Sequence, residues 1–163
     1  MTLTSSQQSA STKFEEFINS DDRIFILKGS AGTGKTTLLK ALVESLCSKG
    51  WKCVLMAPTG RASYILGEKT DHSAATIHRT IYQIEEGLKD DGSGQLVFGF
   101  RHNEDSVNNT IYFVDEASMV SDQYSENDMF KFGSGYLLRD VLDYCGSRKI
   151  VFVGDYAQLP PVG

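Results

Sequence analysis

Eight consecutive residues early in the chain have the types and spacing of a phosphate-binding loop. Residues 29–36 read GSAGTGKT and match G-x-x-x-x-G-K-[S/T] at every defined position. Glycines let the backbone curl so that its N–H groups point at phosphate oxygens, and a following helix presents its positive end to the same anion. Lys35 is expected to pair with the β- and γ-phosphates, and the Thr36 hydroxyl to bind Mg²⁺. The residues predicted to bind a nucleotide here are Gly29, Ser30, Ala31, Gly32, Thr33, Gly34, Lys35, Thr36 and Thr37.

Two adjacent carboxylates, Asp115 and Glu116, follow the apolar run at residues 110–114. A buried strand that ends in a carboxylate delivers it to the carboxyl edge of an open α/β sheet, beside the phosphate loop. Asp115 is therefore predicted to bind Mg²⁺, and Glu116 to accept a proton from the attacking water. Most Asp-Glu pairs are surface charge, but the strand context and the phosphate loop favour the functional interpretation.

A third polar group is Gln158, in the segment GDYAQLPPVG at residues 154–163. Its amide is both a donor and an acceptor, so it can hydrogen-bond to the γ-phosphate or its water. The alternative is a rigid exit loop whose two prolines only set the chain direction. Taken without the other motifs, the two interpretations are equally good.

Four short apolar runs supply the elements that would position these groups. They read RIFILKG, KCVLMAP, TIYFVDE and KIVFVGD, at residues 23–29, 52–58, 110–116 and 149–155. Such continuous β-branched and aromatic runs are typical of strands buried on both faces of a parallel sheet. Between the first two, Leu39, Leu42, Val43 and Leu46 mark one face of a helix, and Gly50 is a plausible end. The sequence therefore predicts an α/β fold.

Three further segments extend this framework. Residues 5–18 carry Phe14, Phe17 and Ile18 at helical spacing and are predicted to form an additional helix on the sheet. A DDGSG turn cluster followed by an apolar run predicts a small β-hairpin inserted at about residues 84–104. Residues 134–149 predict a helix leading into the last strand. No internal repeat or linker interrupts the chain, so residues 1–163 are interpreted as one domain.

Composition excludes several classes of protein. The 163 residues are 40% hydrophobic and 23% charged, which is ordinary for one globular domain. The sequence has no apolar run of about 18 residues, as a membrane span needs, and no signal-peptide pattern at its start, so we expect a cytoplasmic protein without a membrane partner. The cysteines lack metal-ligand spacing and are expected to be buried small apolar residues; they are Cys47, Cys53 and Cys145.

Charge is unevenly distributed along the chain. The net charge is −5, which usually disfavours a nucleic-acid partner. Residues 52–82 nevertheless hold four basic against two acidic residues, whereas residues 115–143 hold two basic against seven acidic residues. A local basic surface is therefore compatible with the acidic total.

Taken together, the motifs resemble the first motor domain of superfamily 1 helicases, most closely the RecD-like, 5′ to 3′ branch. The similar segments cover nearly the whole chain and are LTSSQ (3–7), GSAGTGKTT (29–37), MAPTGRAS (56–63), ATIHR (75–79), VDEASMV (114–120) and GDYAQLPPVG (154–163). The resemblance implies a RecA-like P-loop NTPase domain, that is, a mostly parallel sheet flanked by helices. It also implies ATP and Mg²⁺ as cofactors, with Lys35, Glu116 and Gln158 as catalytic residues and Gln7 against the adenine.

The resemblance further implies a track for single-stranded DNA. The residues that would line it are Pro58, Thr59, Arg61, Thr76 and His78. The residues themselves give a thinner argument, because loops at 58–63 and 76–79 would offer hydroxyls, a basic group and free N–H groups to phosphates. For His78 a structural role and a nucleic-acid role are equally favoured. Core packing is favoured over base stacking for each of Tyr82, Phe98 and Phe100.

These implications have limits and rivals. The motifs of a second RecA-like domain are absent from this sequence, so the chain is expected to bind Mg-ATP, hydrolyse it very slowly and not translocate alone. Another P-loop NTPase would explain Lys35 and Asp115 but not the other segments. A non-catalytic nucleic-acid binding module is the rival from a different class. RNA remains an alternative partner, since DNA is favoured on the resemblance alone.

Overall fold

The computed structural model describes residues 5–28, 34–84, 95–120, 123–125 and 130–154. The helices are α1 (Ser5–Ile18), α2 (Lys35–Ser48), α3 (Gly60–Thr70), α4 (Ile77–Ile81) and α5 (Leu137–Cys145), with a short 3₁₀ turn at Ala117–Met119. The strands are β1 (Ile24–Lys28), β2 (Lys52–Ala57), β3 (Ala74–Thr76), β4 (Tyr82–Ile84), β5 (Leu96–Phe100), β6 (Thr110–Val114), β7 (Phe130–Phe132) and β8 (Lys149–Gly154). None of the helices in these ranges is long and apolar enough to cross a membrane.

A five-stranded parallel sheet forms the centre of the fold, in the order β1-β8-β6-β2-β3. The four predicted strands are all present. The fifth, β3, was not predicted, because three residues are too few to show a periodic pattern. β1 lies at one edge of the sheet, where Ile24 and Ile26 are 43% and 50% exposed.

Helices cover both faces of this sheet. Along β6, Ile111 and Phe113 pack in one cluster with α1 and α2, whereas Tyr112 and Val114 pack in a second cluster with α4 and α5. Every residue of β6 is buried, as the continuous apolar run predicted. The predicted inner face of α2 is also confirmed, and its buried residues are Leu38, Leu39, Leu42, Val43 and Leu46.

A second, three-stranded sheet lies beside α4, with the order β4-β5-β7. β4 and β5 pair antiparallel, as the hairpin prediction required, although β4 begins at Tyr82 and the connecting residues 85–94 lie outside the described ranges. β7 pairs with β5 and was not predicted. Tyr82 is buried and Phe98 stacks on Phe132 at 4.6 Å between ring centroids, but Phe100 is 41% exposed, so core packing holds for the first two only.

A buried carboxylate fastens this small sheet to α5. Asp140 has no exposed surface and accepts hydrogen bonds from the Tyr82 hydroxyl at 2.6 Å and the Ser134 hydroxyl at 2.7 Å. The Ser134 amide donates a third hydrogen bond at 3.1 Å. Because a buried carboxylate is costly unless hydrogen-bonded, this arrangement fixes the position of the small sheet.

The amino edge of the main sheet carries a polar group that we call the Asp105 cluster. Asp105 accepts hydrogen bonds from the Tyr112 hydroxyl at 2.7 Å and from Lys52, at the start of β2. Asn103 donates to the same Tyr112 hydroxyl at 2.9 Å, and Arg148 donates to the Asp105 carbonyl at 2.7 Å. These bonds tie the segment before β6 to β2 and to the residue before β8.

The expectation that all three cysteines are buried was wrong for Cys47. Cys145 is buried and Cys53 is half-buried, but Cys47 is exposed. Leu46 and Val43 face the sheet, and the next residue of a helix points about 100° away from its predecessor. Helical rotation therefore turns Cys47 towards solvent.

Candidate nucleotide site and nucleic-acid track

The start of α2 is the part of the predicted phosphate loop that the structure describes. Gly34 has φ +77°, in the left-handed region that glycine adopts without strain, and Lys35, Thr36 and Thr37 form the first turn of the helix. The first N–H groups of an α-helix have no partner within the helix and can bind an anion. Gly29, Ser30, Ala31, Gly32 and Thr33 lie outside the described residues.

Gln7 connects α1 to this point. Its side-chain amide donates a hydrogen bond of 3.0 Å to the Gly34 carbonyl, and the residue is 8% exposed. A Cβ added to Gly34 would collide with the Gln7 amide, so residue 34 is restricted by the contact as well as by its φ. Gln7 thus positions the start of α2, while its predicted contact with adenine stays a prediction.

Asp115 follows β6 directly at the carboxyl edge of the sheet. Its amide donates to the Met56 carbonyl at 2.9 Å, which fixes it beside the end of β2. Burial raises the pKa of Asp115 and the charge of Glu116 adds to the effect, while the Glu116 amide and the Lys35 ammonium oppose it. The charge of Lys35 therefore does not fully compensate this carboxylate, and a divalent cation would supply the remaining positive charge.

Glu116 has a strained backbone. Its φ of +52° lies in the left-handed region, which costs a side-chain-bearing residue about 1–2 kcal/mol. The chain reverses here into the 3₁₀ turn, where the Met119 amide donates to the Glu116 carbonyl at 2.9 Å. Strain of this kind concentrates at functional sites.

Gln158, the third predicted catalytic residue, lies outside the described residues.

The first predicted track segment is a helix start, which corrects the loop expected at residues 58–63. The Thr59 hydroxyl caps α3 by accepting from the Ala62 amide at 3.1 Å. Arg61 is exposed in the first turn of α3, and Pro58 is half-buried. The threonine that suggested a phosphate contact therefore also has a structural role as the N-cap.

The second segment repeats this arrangement, so the loop expected at residues 76–79 is also corrected. Thr76 ends β3 and caps α4, accepting from the Arg79 amide at 3.1 Å. Ala57 and Thr76 are partners in the parallel register of β2 and β3. The two segments therefore leave the same edge of the sheet side by side, as a shared surface requires.

His78 packs among aromatic rings. Its ring centroid lies 4.6 Å from that of Phe132 and 5.5 Å from that of Tyr82. Burial lowers the pKa of His78, so the imidazole is neutral at pH 7 and contributes no cation to a phosphate.

Sequence reasoning did not select the exposed Arg101, whose guanidinium donates to the Arg79 carbonyl at 3.0 Å. No motif marks it, because β5 brings it there from a distant part of the chain.

Comparison with known proteins now decides the family, because a family model described as an AAA domain matches residues 2–163. The chain belongs to this AAA domain family.

Two curated relatives of this AAA domain are named as DNA helicases. The ATP-dependent RecD2 DNA helicase of Deinococcus radiodurans is 34% identical over 86% of this chain and 16% of its own length. The ATP-dependent DNA helicase dda of enterobacteria phage T4 is 30% identical over 98% of this chain and 33% of its own length. These relatives confirm the resemblance to superfamily 1 DNA helicases, although the chain spans a third of their length or less.

A solved structure confirms the fold. The Pif1 helicase from Candida albicans matches this AAA domain with a TM-score of 0.58 at 21% identity, over the whole chain and 35% of that protein. The parallel sheet flanked by helices agrees with the predicted RecA-like P-loop domain.

Proposed function

We propose that this AAA domain is the ATP-binding motor domain of an ATP-dependent DNA helicase. The observation that carries the proposal is that Lys35, in the first turn of α2, acts electrostatically on the partly buried Asp115 directly after β6. A lysine beside a carboxylate at the carboxyl edge of a parallel sheet suits a nucleotide phosphate with its divalent cation. The names of the two relatives support the same function.

Each residue of the site has a distinct role in this proposal. Lys35 binds the β- and γ-phosphates, and Thr36 and Asp115 hold Mg²⁺, which neutralises phosphate charge. Glu116 accepts a proton from the attacking water, and Gln158 hydrogen-bonds to the γ-phosphate. The raised pKa of Asp115 supports a cation at this position, because a buried carboxylate binds a divalent cation more readily than it remains charged alone.

The proposed DNA track follows the carboxyl ends of β2 and β3. The capped helix starts at Thr59 and Thr76 lie side by side there, and Arg61 supplies an exposed cation. His78 would offer its neutral ring as a stacking or hydrogen-bonding surface rather than a charge. Such contacts bind the phosphate backbone without reading sequence.

The rest of the machinery lies in a longer protein under this proposal. The chain spans 16% and 33% of the two relatives, which leaves length for a second RecA-like domain. That domain would supply an arginine that stabilises the transition state, an effect of about 10³ to 10⁵ in rate in related enzymes. The chain alone should therefore bind Mg-ATP and turn it over slowly.

Fluorescence anisotropy tests the nucleic-acid half of the proposal, and calorimetric titration with a Mg-ATP analogue tests the nucleotide half. Labelled single-stranded DNA, matched RNA and duplex DNA are titrated with the chain over a salt series, each with and without a non-hydrolysable Mg-ATP analogue. Arg61→Ala is compared with Lys49→Ala, which removes the same charge from an exposed site after α2, at the opposite edge of the sheet.

The expected result is binding to single-stranded DNA that weakens with salt and with Arg61→Ala but not with Lys49→Ala. Equal or tighter binding to RNA would change the substrate class to RNA. Failure to bind the Mg-ATP analogue would reject the ATP site itself. ATP turnover above about 1 per second in the isolated chain, stimulated by DNA, would reject the need for a second domain.

A further inference from the structure

A second group of reactive side chains lies at the amino edge of the sheet, after the last turn of α2. Cys47 is exposed there, and its Sγ lies 3.8 Å from the Nε2 atom of His72. Cys53, at the start of β2, is close enough to Cys47 for the two thiols to interact. This group, Cys47, Cys53 and His72, is named the thiol cluster.

We propose that the thiol cluster is an oxidation site, in which a hydroperoxide converts Cys47 and Cys53 into a disulfide and His72 takes the first proton. The proposal does not depend on nucleotide or DNA binding, which we place at the opposite edge of the sheet.

The orientation of His72 follows from its second ring nitrogen. Nδ1 lies 2.8 Å from the Thr70 carbonyl, and a carbonyl can only accept a hydrogen bond, so Nδ1 carries the proton. In the neutral ring Nε2 is then an acceptor, and it faces Cys47. The imidazole is therefore placed to accept the Cys47 proton.

The two thiols differ in exposure and in protonation, as a stepwise oxidation requires. Burial raises the pKa of Cys53 to about 12, and its interaction with Cys47 acts in the same direction. Cys47, exposed and beside a base, reacts first, while Cys53 stays protonated and waits as the second thiol.

The chain between the two cysteines is already a tight turn. Gly50 has φ +89°, its amide donates to the Cys47 carbonyl at 3.1 Å, and the Trp51 amide donates to the Leu46 carbonyl at 3.0 Å. The turn returns the chain from Cys47 near the end of α2 to Cys53 near the start of β2, and a disulfide would bring the two sulfurs to a bonding distance of about 2.05 Å.

The reaction balances in two steps. The Cys47 thiolate attacks a peroxide oxygen, giving Cys47 sulfenic acid and, with the proton from His72, one molecule of water or alcohol. The Cys53 sulfur then displaces the sulfenic oxygen, which leaves as water with the Cys53 proton. Two thiols are oxidised, the peroxide is reduced, and a thiol such as glutathione reverses the bond by exchange.

A metal site is the other chemistry that two thiols and an imidazole offer. Across the described part of the chain, no three His, Cys, Asp or Glu side chains converge closely enough to hold a metal ion. The geometry therefore favours a bond between two sulfurs over shared coordination.

The test treats the reduced full chain with hydrogen peroxide, alkylates the remaining thiols and digests with trypsin. Cleavage after Lys40, Lys49, Lys52 and Arg61 separates the cysteines into peptides 41–49 and 53–61. The expected product is the linked pair of these peptides. It should be absent in Cys53→Ser, present in Cys145→Ser and removed by dithiothreitol.

His72→Gln tests the positioning role of the imidazole. We expect the rate at which iodoacetamide alkylates Cys47 to fall by about tenfold while the melting temperature stays unchanged. An unchanged alkylation rate would reject that role. Cys47 that proceeds to sulfinic acid while Cys53 remains alkylatable would overturn the disulfide itself.

Discussion

The two edges of the main sheet each carry a partly buried aspartate, and the surroundings of the two carboxylates differ. At the amino edge, burial alone would raise the pKa of Asp105, but hydrogen bonds from Lys52 and Tyr112 outweigh it and hold the pKa below its ordinary value. At the carboxyl edge, burial and the charge of Glu116 raise the pKa of Asp115 despite Lys35. At the amino edge the protein's own groups stabilise the charged form of Asp105. At the carboxyl edge they do not fully stabilise the charge of Asp115, and a bound cation would do so.

The variant with the largest expected effect removes Lys35, the lysine at the carboxyl edge of the sheet. Lys35→Ala should weaken binding of a Mg-ATP analogue by about 100-fold, or about 2.7 kcal/mol, because a charge-assisted phosphate contact is lost. The free energy of unfolding should change by less than about 0.5 kcal/mol. Calorimetric titration and urea unfolding measure the two quantities.

Lys40→Ala is the control for this change. It removes the same charge from the same helix, where Lys40 lies 3.9 Å from Glu44. Equal losses of nucleotide affinity in the two variants would mean that net charge, not the helix start, binds the phosphate.

The reverse outcome is expected at the amino edge. Asp105→Ala should destabilise the fold by about 2 kcal/mol, because the buried Tyr112 hydroxyl loses its acceptor, while nucleotide affinity stays unchanged. Glu104→Ala, a neighbouring carboxylate whose side chain is 85% exposed, should change stability by less than about 0.5 kcal/mol. Urea unfolding measures both variants. Equal losses in the free energy of unfolding for Asp105→Ala and Glu104→Ala would contradict a stabilising role for Asp105.

The pH dependence of stability should have opposite signs at the two edges. A lowered pKa means that Asp105 stabilises the fold above its unfolded pKa, and that this contribution is lost as the pH falls through its folded pKa. A raised pKa means that the folded chain binds the Asp115 proton more tightly than the unfolded chain. Ionisation of Asp115 therefore costs stability as the pH rises through its folded value.

Asp115→Asn should consequently stabilise the chain at pH 7, by about 1 kcal/mol, with a gain that disappears in acid. Asp105→Asn should show a loss at pH 7 that disappears in acid. Unfolding curves of both variants between pH 3 and pH 8 measure this, and parallel profiles would remove the distinction between the edges.

Sequence patterns predicted those features of the fold and site that repeat or form long runs. The four long strands, the inner face of α2 and the helix at Ser5–Ile18 all have enough residues to show a period. β3 is too short, and the pairing of β7 with β5 depends on a contact that no local pattern contains. Thr59 and Thr76 were selected for their hydroxyls, but helix capping and phosphate binding favour the same residue type, so the sequence did not distinguish them.

The smallest expected effect concerns the strain at Glu116. Glu116→Gly relieves a left-handed conformation but gives the unfolded chain more freedom, so a net gain of about 0.5 kcal/mol is expected. Glu116→Gln removes the charge but keeps a side chain in the left-handed conformation, so it should not give the gain in stability that comes from relieving the strain. Asp71→Gly is the matched control, since Asp71 has φ +56° at the end of α3. A gain at Asp71 alone would mean that Glu116 is not strained.

The position of β1 has a consequence for the order in which the chain folds. Its partner in the sheet is β8, and the register joins Ile24 to Ile150, which are far apart in sequence. A ribosome releases β1 long before β8, so a nascent chain carries an unpaired apolar strand until β8 has been synthesised. The start of α2 comes soon after β1 in the sequence, so we expect ATP binding to begin only when β8 has emerged. Nucleotide affinity in ribosome-stalled chains of increasing length would thus report the moment at which the sheet closes.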